Sequence, residues 1–185
     1  MIFGEILEDS PIIPAVKSER ELEQALKGDY QVIFVLFGNL LNLEDIACRI
    51  KAAHKIGIIH LDLVEGLVNK EIAVQYIKEK TCFEGIISTK PQLIKVAKGL
   101  GLVTIQRIFI LDRLSLDNAK GHIVEGCDAI ELLPGLLFKV IKELREVTQK
   151  PIIVGGLISE KEEIVEALGK GATSISTSST KLWAI

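Results

Sequence analysis

The sequence predicts an α/β fold in which eight parallel strands close into a compact (βα)8 barrel. Eight short apolar runs recur along the chain, and a helical pattern lies between almost every pair of them. Strands that alternate with helices at this spacing favour a parallel sheet, and eight such units are the number that closes the sheet. The runs occupy residues 12–16, 32–37, 58–62, 85–89, 103–107, 129–133, 152–155 and 174–177.

The length of the chain limits what such a TIM barrel can carry. The 185 residues are predicted to form one domain, residues 1–185, whereas barrels of this type typically have about 250 residues. The helices and loops must therefore be close to minimal. Apolar residues make up 48% of the chain, which is enough for a core on both sides of the sheet.

Helix signals fall between the apolar runs in the first half of the chain. A capping box, Ser-Glu-Arg-Glu at residues 18–21, predicts the start of a helix that Gly28 ends. Asn42 is predicted to cap the next helix, which Gly57 would end. Asn69 is predicted to cap the helix after that.

The second half of the chain carries similar signals, with one weak element. Pro91 suits the first turn of a helix, and a second capping box at residues 159–162 precedes the last helix. Gly121 lies inside the fifth crossover, residues 115–125, where it costs about 1 kcal/mol relative to Ala. We expect that crossover to be broken or partly irregular.

Composition and charge narrow the class of protein. The net charge is −3 and the pI about 5.7, so a globally basic surface for nucleic acid is absent and any RNA contact needs a local basic patch. The first ten residues carry three acids and no basic region, unlike a signal peptide. No apolar run approaches the roughly 18 residues of a membrane span. We expect a cytoplasmic protein without a membrane partner.

The cysteines indicate neither a metal site nor a disulfide framework. Cys48, Cys82 and Cys127 are far apart in the sequence, and no C-x-x-C motif is present. An odd number of widely spaced cysteines favours a reducing compartment and buried thiols. No cluster of residues has metal-ligand spacing, so no metal and no cofactor are predicted.

The ends of the last two strands suggest a phosphate site. In TIM barrels the loops after strands seven and eight commonly hold a phosphate. Gly155 and Gly156 would let the backbone approach a ligand, and successive N–H groups form a concavity for an anion. Ser176, Thr177 and Ser178 add hydroxyls and further N–H groups. A tight turn with small residues for packing would explain the glycines as well, but the pairing of both segments favours phosphate.

Polar residues at the ends of the middle strands suggest contacts to the rest of a ligand. His60 and Asp62 are two residues apart, so they face the same way if both lie on a strand. Gln106, Arg107 and Glu131 end the fifth and sixth runs and could join them. A satisfied internal polar network would explain the same residues, and both interpretations stay open. No acid–base dyad is evident, so no catalytic residue is predicted.

Eight short motifs occur in a distinctive order. They are IPAV at 13–16, HLDLVEGL at 60–67, GIISTK at 85–90, TIQR at 104–107, ELLPG at 131–135, IVGGLI at 153–158, STS at 176–178 and LW at 182–183. Together they resemble the glycerol-3-phosphate-responsive antiterminator family of the bacterial glycerol uptake operon. The resemblance covers nearly the whole chain, residues 11–183, and the chain departs from the family pattern at Arg113, Phe138 and Ser179.

The resemblance implies a regulator rather than an enzyme. Such a protein binds glycerol 3-phosphate as its effector and then binds leader mRNA of glycerol-utilisation genes, prevents termination and stabilises the transcript. The phosphate would contact the glycine and serine segments, and the residues of the middle strands would contact the polyol. Candidates for RNA contacts are the basic residues predicted on the same side of the barrel, Lys17, Lys90 and Arg113. The alternatives are a phosphosugar isomerase or lyase on the same barrel, and a ligand sensor whose partner is a protein; a homo-oligomer is compatible with each.

Overall fold

Eight parallel strands close into a barrel in the computed structural model, which describes residues 3–184. Each strand pairs with its neighbours in chain order, and the eighth returns to the first. The strands are β1 Ile12–Val16, β2 Val32–Val35, β3 Ile56–His60, β4 Gly85–Ser88, β5 Val103–Phe109, β6 Ala129–Leu133, β7 Ile152–Gly155 and β8 Ser174–Thr177. The predicted fold class and all eight predicted runs are therefore confirmed, with small differences at the strand ends.

One helix lies between each pair of successive strands, and a further helix precedes β1. The helices are α1 Phe3–Asp9, α2 Glu19–Lys27, α3 Leu43–Ala52, α4 Glu71–Lys80, α5 Pro91–Gly99, α6 Arg113–His122, α7 Phe138–Arg145 and α8 Lys161–Gly169. The sequence did not predict α1. None of the helices among residues 3–184 is long and apolar enough to cross a membrane.

The core has an inner and an outer layer. Inside the barrel, Ile13, Phe34, Ile58 and Ile105 pack together, and α1 contributes Leu7 to the same cluster. The outer layer packs the other face of each strand against the helices. Because both faces of the sheet are covered, the strands read as continuous apolar runs rather than as an alternation.

The third strand ends earlier than predicted. β3 stops at His60, and residues Leu61–Leu63 form a short 3-10 helix. The prediction that Asp62 faces the same way as His60 is therefore wrong, because the two-residue alternation of a strand does not continue beyond His60.

The helix starts of the first half match the predictions in part. Ser18 caps α2, since its hydroxyl accepts a hydrogen bond from Glu21 N at 3.3 Å, and Gly28 ends that helix. Asn42 stands at the start of α3 but its side chain accepts from Asn39 N at 2.8 Å instead of capping the helix.

Two further residues that the sequence assigned to helix boundaries, Gly57 and Asn69, lie elsewhere in the structure. Gly57 lies inside β3, and α3 ends before His54, which has a positive φ of 58°. α4 begins after Lys70 rather than after Asn69. The amide of Asn69 bonds to neighbouring loops, as described below.

The helices of the second half are more regular than predicted. Pro91 occupies the first turn of α5 as expected. The capping box before α8 is shifted by one residue, to Glu160 and Glu163. α6 is continuous, and the expectation of a broken crossover is wrong because Gly121 lies in its last turn, where a helix is about to end.

Candidate functional site

A layer of polar side chains caps the inner core where the strands end, at the opening called the mouth here. On β3, β5, β6 and β7 the residue two positions beyond an inner-core residue points inward as well. This rule places His60, Arg107, Glu131 and Gly155 in one inward-facing layer, and β8 adds Ser176. The structure thus brings together predicted phosphate-binding and polyol-binding residues.

A buried ion pair lies at the centre of this layer. Arg107 Nε donates to Glu131 Oε2 at 2.7 Å, and Ser176 Oγ donates to Glu131 Oε1 at 2.7 Å. The Arg107 and Glu131 side chains are only 9% and 1% exposed. Each charge compensates the other, because an unpaired charge at this depth would be strongly unfavourable.

The guanidinium of Arg107 has unused donors. Its Nε makes the bond to Glu131, and among residues 3–184 neither of its Nη atoms makes a hydrogen bond. A guanidinium carries five N–H donors in a planar fork that suits phosphate. The buried pair therefore presents a fixed cationic group that can take an anion.

Gly155 provides the space that this arrangement needs. A Cβ atom at this position would collide with Ser176 Oγ and would lie 3.2 Å from Glu131 Oε1. Gly155 pairs with Ser176 across β7 and β8. Close packing against Ser176 and Glu131 therefore explains why this position is a glycine, and its predicted approach to a phosphate stays a prediction.

The two predicted phosphate segments lie on the same rim of the barrel. Gly156 has a positive φ of 72°, and its carbonyl oxygen accepts from Gly135 N at 3.2 Å. On β8, Thr177 Oγ1 accepts from Ser179 N at 3.1 Å, just after Ser178. A short 3-10 helix, Thr180–Leu182, follows. The backbone thus bends directly after β7, and a strand side chain holds the loop that follows β8.

His60 is buried in the mouth with an unsatisfied nitrogen. The residue is 3% exposed and its Nδ1 has no hydrogen-bond partner among the described residues. Burial and the charge of Arg107 lower the pKa of His60 to about 4, although Asp62 and Glu131 oppose the shift. A buried neutral imidazole with an unsatisfied nitrogen is unusual in a folded protein, and His60 stays a predicted ligand contact.

Asp62 lies beside the mouth and holds the loop after β4. Its carboxylate accepts from Thr89 N at 2.8 Å, from Thr89 Oγ1 at 3.0 Å and from Ser88 Oγ at 3.0 Å. With the Asn69 amide oriented to satisfy both of its neighbours, its nitrogen also donates to Asp62 at 3.1 Å and its oxygen accepts from Lys90 Nζ at 2.8 Å. Asp62 therefore organises the rim instead of projecting freely into the mouth.

Gln106 does not join the mouth. Its Nε2 donates to the His122 carbonyl oxygen at 3.0 Å, and its Oε1 accepts from Val124 N at 2.7 Å. Because neighbouring residues of a strand face opposite sides, Gln106 points to the helices when Arg107 points inward. Gln106 therefore does not join His60, Arg107 and Glu131 as the sequence suggested.

The candidate RNA-binding residues differ in how free their charges are. Lys17 and Lys90 are exposed at the mouth, and neither forms an ion pair within residues 3–184. Arg113 pairs with Glu143 at 3.0 Å and with Asp117 at 3.4 Å. Its charge is thus partly offset, whereas both lysines keep theirs available.

Exposed apolar side chains surround the mouth and were not among the predicted site residues. They are Leu41, Leu63, Val68, Phe109, Leu111 and Leu157. Single apolar residues at strand ends and in loops carry no periodic signal, so the sequence alone could not single them out.

Across residues 3–184, no group of three or more His, Cys, Asp or Glu is arranged to hold a metal ion.

Comparisons with known proteins agree on one family. Residues 12–183 match the family model described as glycerol-3-phosphate responsive antiterminator. The uncharacterized protein YgcP of Escherichia coli K12 is 38% identical over 181 residues, which cover 97% of this chain and 95% of YgcP.

Solved structures give the same result. A glycerol uptake operon antiterminator regulatory protein from Listeria monocytogenes superposes with a TM-score of 0.90 at 31% identity, covering 94% of each chain. A glycerol uptake operon antiterminator-related protein from Thermotoga maritima gives a TM-score of 0.85 at 31% identity, covering 95% of this chain and 99% of that one. Aldolases and an epimerase share the fold alone, at 14–17% identity.

Proposed function

The chain belongs to the glycerol-3-phosphate responsive antiterminator family, and from that premise we propose that it binds glycerol 3-phosphate in the mouth and then binds a leader mRNA of glycerol-utilisation genes. Bound protein would prevent termination and stabilise the transcript. This function requires the cytoplasm, where transcripts are made. The observation that carries the proposal is the buried Arg107–Glu131 pair, which fixes a guanidinium with two unbonded nitrogens at the mouth.

The phosphate end of the ligand is assigned to Arg107 and the β7–β8 rim. The Nη atoms of Arg107 supply charge-assisted hydrogen bonds, and the backbone N–H groups near Gly156 and Ser178 supply further donors. Gly155 leaves room for the Ser176 hydroxyl beside Glu131, and the hydroxyls of Ser176 and Thr177 orient the strand ends.

The glycerol end of the ligand is assigned to His60 and Glu131. The buried, unsatisfied Nδ1 of His60 would accept a hydrogen bond from one hydroxyl, with the proton of the neutral ring on Nε2. Glu131 accepts from another hydroxyl while it keeps its bonds to Arg107 and Ser176. Asp62 contributes indirectly, since it holds the rim through Thr89.

Calorimetry on the wild-type protein tests the ligand half of the proposal. Glycerol 3-phosphate should bind at least tenfold more tightly than glycerol, which corresponds to about 1.4 kcal/mol for the phosphate contacts. Arg107→Lys keeps a cation beside Glu131 but loses the planar fork, so it should weaken binding by about tenfold or more. Arg113→Lys is the matched control and should bind as wild type. Equal, weak heats for glycerol and glycerol 3-phosphate would contradict the phosphate assignment.

The RNA half of the proposal uses the free cations of the rim. Lys17 and Lys90 are exposed beside the mouth, where bound ligand orders the loops from which they project. A coupling of about 1–3 kcal/mol between ligand and RNA is enough for a switch. Because the net charge of the protein is −3, the affinity for RNA must come from the local patch of Lys17 and Lys90 and not from the whole surface.

RNA affinity measured over a salt series, with and without glycerol 3-phosphate, tests the switch. Ligand should raise the affinity for leader mRNA by roughly 5- to 150-fold. Lys17→Gln and Lys90→Gln should each weaken binding and reduce the salt slope by about one. Lys80→Gln, at the opposite end of the barrel, is the control and should change neither. An affinity that ligand leaves unchanged would remove the switch.

The competing function is an enzyme that acts on a phosphorylated sugar. Its support is the fold shared with aldolases and an epimerase, which shows the architecture alone. Our proposal predicts no turnover in a panel of phosphorylated small molecules. Turnover that is lost in Glu131→Gln would favour the enzyme instead.

A further inference from the structure

Two cysteines that are far apart in the sequence lie side by side in the fold. Cys48 and Cys82 are 34 positions apart, yet their Sγ atoms are 3.3 Å from each other. Cys48 is exposed on α3, and Cys82 is half-buried between α4 and β4. The sequence-based expectation of separate, buried thiols holds only for Cys127, which is 4% exposed.

We propose that Cys48 and Cys82 form a modification site at which a hydroperoxide converts the two thiols into an intramolecular disulfide. The site lies on the outer side of the barrel and is independent of the ligand and RNA proposals. A dithiol of this kind takes a peroxide as its reactant because one thiolate is accessible and a second thiol stands ready to resolve the intermediate.

The reaction balances without any further reactant. The Cys48 thiol loses its proton and the thiolate attacks one peroxide oxygen. The O–O bond breaks, Cys48 becomes a sulfenic acid, and the leaving alkoxide or hydroxide takes up that proton as an alcohol or water. The thiolate of Cys82 then attacks the Cys48 sulfur, the S–S bond forms and hydroxide leaves, which takes up the proton from Cys82 as water. The two sulfurs together lose two electrons, and the peroxide gains them.

The packing under the two cysteines fixes their relative position. Gly57 of β3 brings Ile50 of α3 and Phe83 together, since a Cβ at Gly57 would lie 3.1–3.2 Å from both side chains. Phe83 follows Cys82 directly and is buried. Cys82 is therefore held by its buried neighbour Phe83, and Cys48 lies on the helix that packs against the same residue.

The surroundings of Cys48 make the site slow to react. A hydrogen bond with Cys82, desolvation by neighbouring groups and the carboxylates of Glu44 and Asp45 raise the pKa of the Cys48 thiol. A smaller thiolate fraction lowers the rate of attack on peroxide. The dithiol therefore responds to sustained peroxide exposure rather than to a brief pulse.

The test treats the reduced protein with hydrogen peroxide and then measures its intact mass, thiol count and cross-linked peptides. We expect a mass lower by two hydrogen atoms, one remaining thiol, and a Cys48–Cys82 peptide that a reducing agent separates. The closed loop should raise Tm by roughly 5–15 °C. A gain of oxygen without a cross-link, or disulfide-linked dimers in place of the intramolecular bond, would each overturn the proposal.

Single substitutions decide which thiols take part. Cys48→Ser and Cys82→Ser should each abolish the intramolecular disulfide, and Cys48→Ser is at an exposed position where folding is not at risk. Cys127→Ala is the matched control and should retain the cross-link. An intramolecular disulfide that survives in Cys48→Ser would show that another pair is responsible.

Discussion

The absence of a side chain at Gly155 allows the contacts of the mouth to form. Because Gly155 has no Cβ, Ser176 Oγ can reach Glu131 and donate a hydrogen bond to that buried carboxylate. Glu131 in turn holds Arg107, whose Nη atoms make no hydrogen bond within residues 3–184. One glycine thus supports a chain of contacts that ends at the proposed anion site.

Gly155→Ala should test this chain of contacts. The added methyl group displaces Ser176, so we expect a loss of about 1–3 kcal/mol in the free energy of unfolding together with weaker binding of glycerol 3-phosphate. Urea unfolding and calorimetry measure the two effects. Gly121→Ala is the matched control. Apart from its chain neighbours and its own helix, no residue among 3–184 has an atom within 4 Å of the added methyl group, so stability should stay equal or rise by up to about 1 kcal/mol. An unaltered Gly155→Ala protein would contradict the role given to this glycine.

His60 predicts how stability changes with pH. Its pKa is lowered from 6.5 to about 4 in the folded protein, so the unfolded chain binds a proton between these values while the folded protein does not. Stability from this group is complete above about pH 6.5 and is lost as the pH falls toward 4. Between about pH 7.5 and about pH 5 the loss should be roughly 2 kcal/mol.

Urea unfolding of His60→Gln at both pH values checks this prediction. The variant should lose less stability than wild type on acidification, by roughly the 2 kcal/mol that His60 contributes. His54→Asn, at an exposed position after α3, is the control and should keep the wild-type pH dependence. Identical pH profiles for His60→Gln and wild type would rule out a buried neutral imidazole.

At the level of elements, the strands could be predicted and their faces could not. Each strand is a short apolar run, and the run is visible because both faces of the sheet are buried. For the same reason the pattern does not distinguish inward from outward residues. Gln106 and Arg107 could therefore not be assigned to different faces of the sheet from the sequence. Asp62 was misplaced because the end of β3 depends on a 3-10 turn that leaves no periodic signal.

Contacts between segments that are distant in the chain could not be predicted from the sequence either. The approach of Cys48 to Cys82 depends on the packing of α3 beside the segment that enters β4. Local signals were more reliable where one side chain satisfies a nearby backbone group, as Ser18 does at the start of α2.

Ser18→Ala should measure the value of that local signal. The substitution removes the hydrogen bond to Glu21 N and leaves a donor of the first helical turn without its partner. We expect a loss of about 1 kcal/mol in the free energy of unfolding. Ser10→Ala is the control, because the Ser10 hydroxyl makes no hydrogen bond within residues 3–184. Equal effects of the two substitutions would show that capping does not stabilise α2.

For the molecule as a whole, closure of the barrel couples distant parts of the chain. β1 pairs with both β2 and β8, so the closed sheet has no free edge. At one end, Ser174 Oγ donates to the Leu7 carbonyl oxygen of α1 at 2.9 Å. Toward the C-terminus, Trp183 Nε1 donates to the Thr177 carbonyl oxygen at 2.8 Å and Tyr30 Oη donates to the Trp183 carbonyl oxygen at 2.7 Å. Elements from both ends of the sequence therefore stabilise one core.

This coupling predicts that the whole chain unfolds as one domain. Trp183 is the single tryptophan and is buried, so its fluorescence reports on the C-terminal segment, while far-UV circular dichroism reports on all helices and strands. The two urea transitions should coincide. Leu7→Ala removes a fully buried side chain from α1 and should lower stability by roughly 2–4 kcal/mol. Because the barrel is closed, that change must shift both transitions equally, although Leu7 and Trp183 lie at opposite ends of the sequence. A tryptophan transition that stays in place while the circular dichroism transition moves would show that the closed sheet does not bind the two ends into one cooperative unit.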